Sequence, residues 1–159
     1  MKKLTALLIL STLSFSLMAC SEKTETSSVE IDPTVFLVEV EESLPEDKIV
    51  PMMELDATMV QEIYGIDDTM IESFAAKIPM MNVQCEEYFV AKVVDGKMED
   101  VKTLLEDRQA TLIEQWGTYL PEQVELIEAY QLVENEPYIV FAIGYNADTV
   151  IDAFEAKFE

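Results

Sequence analysis

Histidine is missing altogether from the 159 residues. That removes the commonest general base, the commonest metal ligand and the usual switch near neutral pH. Ser-His-Asp and Cys-His catalysis are excluded with it. Cysteine is nearly missing: Cys20 and Cys85 are the whole supply. Positive charge is scarce, with 10 basic residues against 32 acidic ones and a net charge of -22. A surface of that sign repels nucleic acid and anionic lipid, so recognition through phosphates is not expected. What is present in quantity is apolar: 50% of the residues are hydrophobic, enough for a packed core and too many for a disordered chain.

Part of that apolar content stands at the front. Lys2 and Lys3 form a positive start, and Leu4 to Met18 is apolar apart from Ser and Thr. The run of about fifteen residues is short of the roughly twenty that a transmembrane helix needs, and reads as the hydrophobic region of a signal peptide. It ends in Leu17-Met18-Ala19-Cys20. Leucine three positions before a cysteine, with a small residue just before it, resembles the bacterial lipobox; Met18 is an unusual occupant of the middle position. The resemblance implies a thioether-linked diacylglyceryl group on Cys20, cleavage before it, and often an N-acyl chain such as palmitate. Two or more chains anchor stably, at about 0.8 kcal/mol for each buried CH₂. An ordinary signal peptide followed by a chance cysteine is the plainer alternative.

The domain organisation expected is a leader over residues 1–19, a tether over 20–30 and one domain over 31–159. Cleavage leaves 8 basic and 32 acidic residues, a net charge of -24. Ser21 to Glu30 (SEKTETSSVE) is polar and reads as a flexible linker, spanning on the order of 18 Å root-mean-square.

Within the domain, Asp32-Pro33 is a helix-opening pair, and Phe36, Leu37, Val40 and Leu44 follow at helical spacing. Val35, Val38 and Val40 argue for a strand; helix is the reading taken. Asp56 opens a second short helix, stopped by Gly65. Thr69 to Ile78 is read as a strand pairing with Tyr88 to Val94. After the Asp95-Gly96 turn comes the longest apolar stripe, Met98, Val101, Leu104, Leu105, Leu112, Ile113 and Trp116, with Glu99 and Asp100 in its first turn. Gly117 should stop it, and Pro121 opens a short further helix. Tyr130 to Val133 and Tyr138 to Ile143 should form a hairpin across Asn135-Glu136-Pro137. The second of these is apolar on both faces, which suggests a central strand covered on both sides or a tightly packed sheet. Asn146 should cap a last helix, whose buried stripe is Ala147, Val150, Ile151, Phe154 and Phe158. The fold class expected is α+β: an antiparallel sheet of about four strands in two strand-strand-helix units, helices on one face, after two leading helices.

Five stretches carry a family likeness: Tyr64-Gly65-Ile66-Asp67, Lys77 to Val83 (KIPMMNV), Asp95-Gly96-Lys97, Glu106-Asp107-Arg108-Gln109, and Tyr119 to Gln123 (YLPEQ). With these the chain from Glu54 to the C-terminus resembles a family of small lipoproteins of low-GC Gram-positive bacteria, known only as domain of unknown function 4358. The resemblance implies location and architecture. It implies no activity, so no functional residue is carried over. Cys85 departs from the pattern.

The remaining candidates for chemistry are weak. Cys85 lacks a partner for a disulfide, and Glu86 and Glu87 beside it disfavour a thiolate, so it reads as a packing residue. Asp67-Asp68 and Asp95-Gly96 do not supply the alternating oxygens of a Ca²⁺ loop and read as turn carboxylates. No motif selects a pair of carboxylates for glycoside hydrolysis. Met80-Met81 could be an adaptable binding surface or core plugs, and packing is the plainer reading. Trp116 and Tyr119 pose the same choice. No cofactor, metal site or nucleic-acid partner is expected. The function expected is a membrane-tethered domain that binds a protein or small ligand without catalysis; the alternatives are a carboxylate enzyme acting on envelope glycan or peptide, and a Ca²⁺-responsive module.

Overall fold

The computed structural model describes residues 29–159, so the leader, Cys20 and the tether up to residue 28 lie outside the described residues. The domain is α+β, with an open antiparallel sheet of five strands: β1 (Met52–Glu54), β2 (Ile71–Pro79), β3 (Glu87–Val93), β4 (Gln131–Asn135) and β5 (Tyr138–Ile143), in spatial order β1-β2-β3-β5-β4. Five helices accompany it: α1 (Pro33–Ser43), α2 (Ala57–Tyr64), α3 (Met98–Gly117), α4 (Pro121–Glu128) and α5 (Ala147–Glu155).

Local chemistry accounts for the helix starts. The Asp32 carboxylate accepts from the Thr34 and Val35 amides at 2.9 and 3.2 Å, ahead of Pro33. Asp56 caps α2 through Met59 N at 2.9 Å, and Gly65, at φ 73°, closes it in the left-handed conformation. The segment 33–43 is therefore helical: its first turn is held by the Asp32 cap, and its valines pack or face solvent on the helix, which Leu44 leaves in extended conformation.

Four expectations need correction. The sheet has a fifth strand, β1, which pairs Met52 with Pro79 and Glu54 with Lys77. Three residues next to Pro51 are too short to show a strand period. Because β1 lies between α1 and α2, only α1 leads the sheet. The helices cover both faces rather than one. Alternation along β3 and β5 sends Phe89, Ala91, Ile139, Phe141 and Ile143 to a core shared with α2, α3 and α4. It sends Tyr88, Val90, Tyr138, Val140 and Ala142 to a second core with α1 and α5. Finally, the Asn146 side chain makes no capping bond at the start of α5.

The central pair, β3 and β5, is almost wholly buried. Phe36 of α1 and Phe154 of α5 meet edge to face with centroids 6.2 Å apart, joining the two helices over one face. No helix of the described residues is long and apolar enough to cross a membrane.

The register defines two ends of the sheet. At one, β3 finishes and β5 begins (Lys92 opposite Tyr138). There the chain enters: Ile31 N donates to the Tyr138 hydroxyl at 3.0 Å, and Glu30 pairs with Lys92 at 3.3 Å. At the other end lie the starts of β1, β3 and β4 and the finishes of β2 and β5. α3 carries the chain between them, since twenty helical residues span about 30 Å.

Candidate functional site

Polar chemistry concentrates where β3 begins. Glu86 and Glu87 are both buried, and the pleat aims them at opposite faces. Glu87 points among α2, α3 and α4. Its Oε1 accepts from Arg108 Nη2 at 2.5 Å, and its Oε2 accepts from Arg108 Nε and the Tyr64 hydroxyl, both at 3.1 Å. The guanidinium also lies over the Tyr64 ring, 5.7 Å from its centroid. Burial, then the Glu87 charge, pushes the Tyr64 phenol well above its ordinary value, so it remains a donor. Burial works against the Arg108 charge, but its hydrogen bonds to Glu87 and the carboxylate's charge outweigh that and raise it. The cluster joins three elements, β3, α2 and α3, through one buried carboxylate.

Glu86 faces α5 and is 1% exposed. Its Oε1 accepts from the Tyr88 hydroxyl at 2.5 Å, from Asn146 Nδ2 at 2.7 Å and from Asn146 N at 3.3 Å. Asn146 Nδ2 also donates to the Lys48 carbonyl at 3.1 Å. Asn146 therefore ties α5 to the segment ahead of β1 instead of capping its own helix. The Oε2 atom has no partner among the described residues. Burial and then Glu86 push the Tyr88 phenol far up. Gly144, at φ 115°, makes room for this carboxylate: a Cβ there would sit 2.6 Å from Glu86 Cγ.

Cys85 is buried, as its packing reading required. Its amide donates to Gln123 Oε1 at 3.2 Å, and its thiol donates to the Gln123 carbonyl at 3.6 Å. Burial first, then the neighbouring Glu86 and Glu87, pushes the thiol up to about 12. Asp67 is a turn carboxylate: it accepts from Thr69 N and Oγ1 at 2.8 and 2.5 Å, and these bonds hold its pKa below the ordinary value.

Met80 and Met81 are not core plugs. With Val83 they stand exposed on the connection from β2 to β3. Alternation does not apply to them, because β2 ends at Pro79. Tyr119 is exposed as well, whereas Trp116 packs on the core.

A cleft of about 540 Å³ lies at the opposite end, where the chain enters. Glu72, Asp95, Glu99 and Glu136 line it together with Lys92, Met98 and Pro137. All four carboxylates are exposed. Lys92 is held charged by hydrogen bonds to Glu72 and Glu30.

The sequence profile of a domain of unknown function, DUF4358, matches residues 45–144, and the chain belongs to that family. The match starts ahead of Glu54 and stops before α5. It therefore takes in the whole sheet with α2, α3 and α4, and leaves out α1 and α5, the layer on the second face. No curated protein and no solved structure matches the chain. Three of the five family stretches noted in the sequence meet at the start of β3: Tyr64 and Arg108 converge on Glu87, and Gln123 holds Cys85; the Asp95-Gly96-Lys97 stretch lies at the opposite end. Glu87 itself carried no signal from its neighbours. One was available from Arg108, the only arginine, which falls in the stripe Val101, Leu105, Leu112 and so calls for a buried partner.

Proposed function

We propose that this chain is a lipid-anchored domain on the outer face of the cell membrane, held through Cys20, that binds a protein or small ligand without catalysis. The observation that carries the reading is the leader: two lysines, an apolar run of signal-peptide length and Leu17-Met18-Ala19-Cys20, placed ten residues ahead of Glu30, where the folded domain begins. Three features support binding over catalysis. The chain has no histidine. Its buried polar groups hold elements together: Glu87 by Arg108 and Tyr64, and Glu86 by Tyr88 and Asn146. The one thiol among the described residues, Cys85, is pushed away from the thiolate form.

Cells fed labelled palmitate test the anchor. The wild-type protein should take up label and run as the processed form. Cys20→Ser should take up none and accumulate as the larger precursor. A variant that takes up label and reaches the wild-type mass would refute the reading.

The cleft favours a second reading, an envelope enzyme working through carboxylates, because it is the concave place where Glu72, Asp95, Glu99 and Glu136 gather. A general acid needs burial to hold its proton near neutral pH, and these four are exposed. Turnover of a glycan or peptide substrate that disappears with Glu99→Gln would establish the enzyme reading in place of the first.

A further inference from the structure

Eight large apolar residues among the described ones are markedly exposed, and six of them belong to segments at the end of the sheet away from the chain's entry: Ile49, Met80, Met81, Val83, Tyr119 and Tyr145, each more than half exposed. Hydrogen bonds hold these segments together. Met80 N donates to the Pro51 carbonyl at 3.0 Å, which sets the Met80-Met81 turn beside the segment carrying Ile49. The Asn146 bond to the Lys48 carbonyl brings Tyr145 to the same segment, and the Gln123 bonds to Cys85 bring the start of α4 to the β2–β3 connection. The apolar side chains are thus exposed on a fixed base.

We propose that this rim is the docking surface for a protein presenting an apolar groove bordered by lysine and arginine. The proposal deepens the binding reading above and rests on it. Charge selects the partner. Glu46, Asp47, Glu122 and Asp148 are exposed on the rim's segments, against the single cation Lys48. A second copy would bring the same sign of charge on a chain already at -22, and an anionic bilayer would repel it likewise. A basic border complements the acids, while the methionines, unbranched and polarizable, fit an apolar groove without demanding one shape. Position agrees: Glu30 and Ile31 fix the entering chain at the far end of the sheet, so the attachment of the tether does not cover the rim.

The test places a photo-crosslinking amino acid at Met81, and for comparison at Glu99 by the opposite cleft, in the full-length protein in its own cells. The Met81 position should give one protein adduct, mapping to an apolar segment flanked by Lys or Arg, and Glu99 should not. Met80→Ser together with Val83→Ser should cut the yield by more than about tenfold, because two apolar side chains no longer leave water on docking. Both sites are exposed, so the fold should stand, and circular dichroism of the purified variant checks it. An adduct with lipid or with a second copy, equal labelling from Glu99, or no protein adduct at Met81 overturns the proposal. The palmitate experiment reads the tether independently, so a rim without a partner leaves the anchor's outcome untouched.

Discussion

Arg108→Met removes the cation from a carboxylate that is buried to within 4% of its side chain. Glu87 then keeps only the Tyr64 hydroxyl as donor. Breaking a buried ion pair on one side costs about 3–5 kcal/mol, a large share of the roughly 5–15 kcal/mol that stabilises a domain. With a urea m-value of about 2 kcal/mol per M, the unfolding midpoint should fall by about 2 M. Trp116, the sole tryptophan, packs on the same core and reports the transition by fluorescence, with far-ultraviolet dichroism as the second probe. The decisive comparison is the double variant Arg108→Met with Glu87→Leu. Replacing both charges by apolar side chains is often neutral, and the orphaned Tyr64 hydroxyl adds about 1–3 kcal/mol. The double variant should therefore be more stable than Arg108→Met alone. If the two single losses simply add, or if Arg108→Met costs less than about 1 kcal/mol, as an exposed pair would, the cluster is not the anchor described.

Gly144→Ala should destabilise by more than about 2 kcal/mol, since the new Cβ meets Glu86 Cγ at 2.6 Å and the φ of 115° is strained for any side chain; a denaturation midpoint within error of wild type would contradict this. The Cys85 thiol, raised to about 12, favours the fold below its unfolded value of 9.0, and that stabilisation is lost as pH rises between the two. Wild type should lose up to about 3 kcal/mol more than Cys85→Ala between pH 8.5 and 12, at no more than about 1.4 kcal/mol per unit, measured by urea titration at each pH. Equal losses in the two proteins would remove the thiol from the account.

Period and punctuation made the helices and four of the strands readable. β5 matched its expected bounds because YIVFAI is short, β-rich and flanked by turn residues. The same stretch, apolar on both faces, fitted either a strand covered on both sides or a tightly packed sheet, and the first is what the structure has. α1 and α5 supply the second covering layer, but their contact links residues 118 apart in sequence, as Phe36 and Phe154 show, and no local pattern encodes such a meeting. Asn146 shows the limit from the other side. Its position was legible from the helix it opens, yet its side chain is claimed by a carboxylate 60 residues away. The exposed methionines were misread because a strand rule was extended two residues past the strand. Of the polar centre at the start of β3, only the odd placement of Arg108 was visible in advance.

The order of strands in space has a bearing on how such a chain is made. β5 is the last strand to be synthesised, yet it occupies the sheet's interior, hydrogen-bonded to β3 on one side and β4 on the other. Until residue 143 has left the ribosome, β3 lacks one neighbour and β4 lacks its only one. The hairpin β2-β3 can pair early, but the two pairings that complete the centre of the sheet wait for nearly the whole polypeptide.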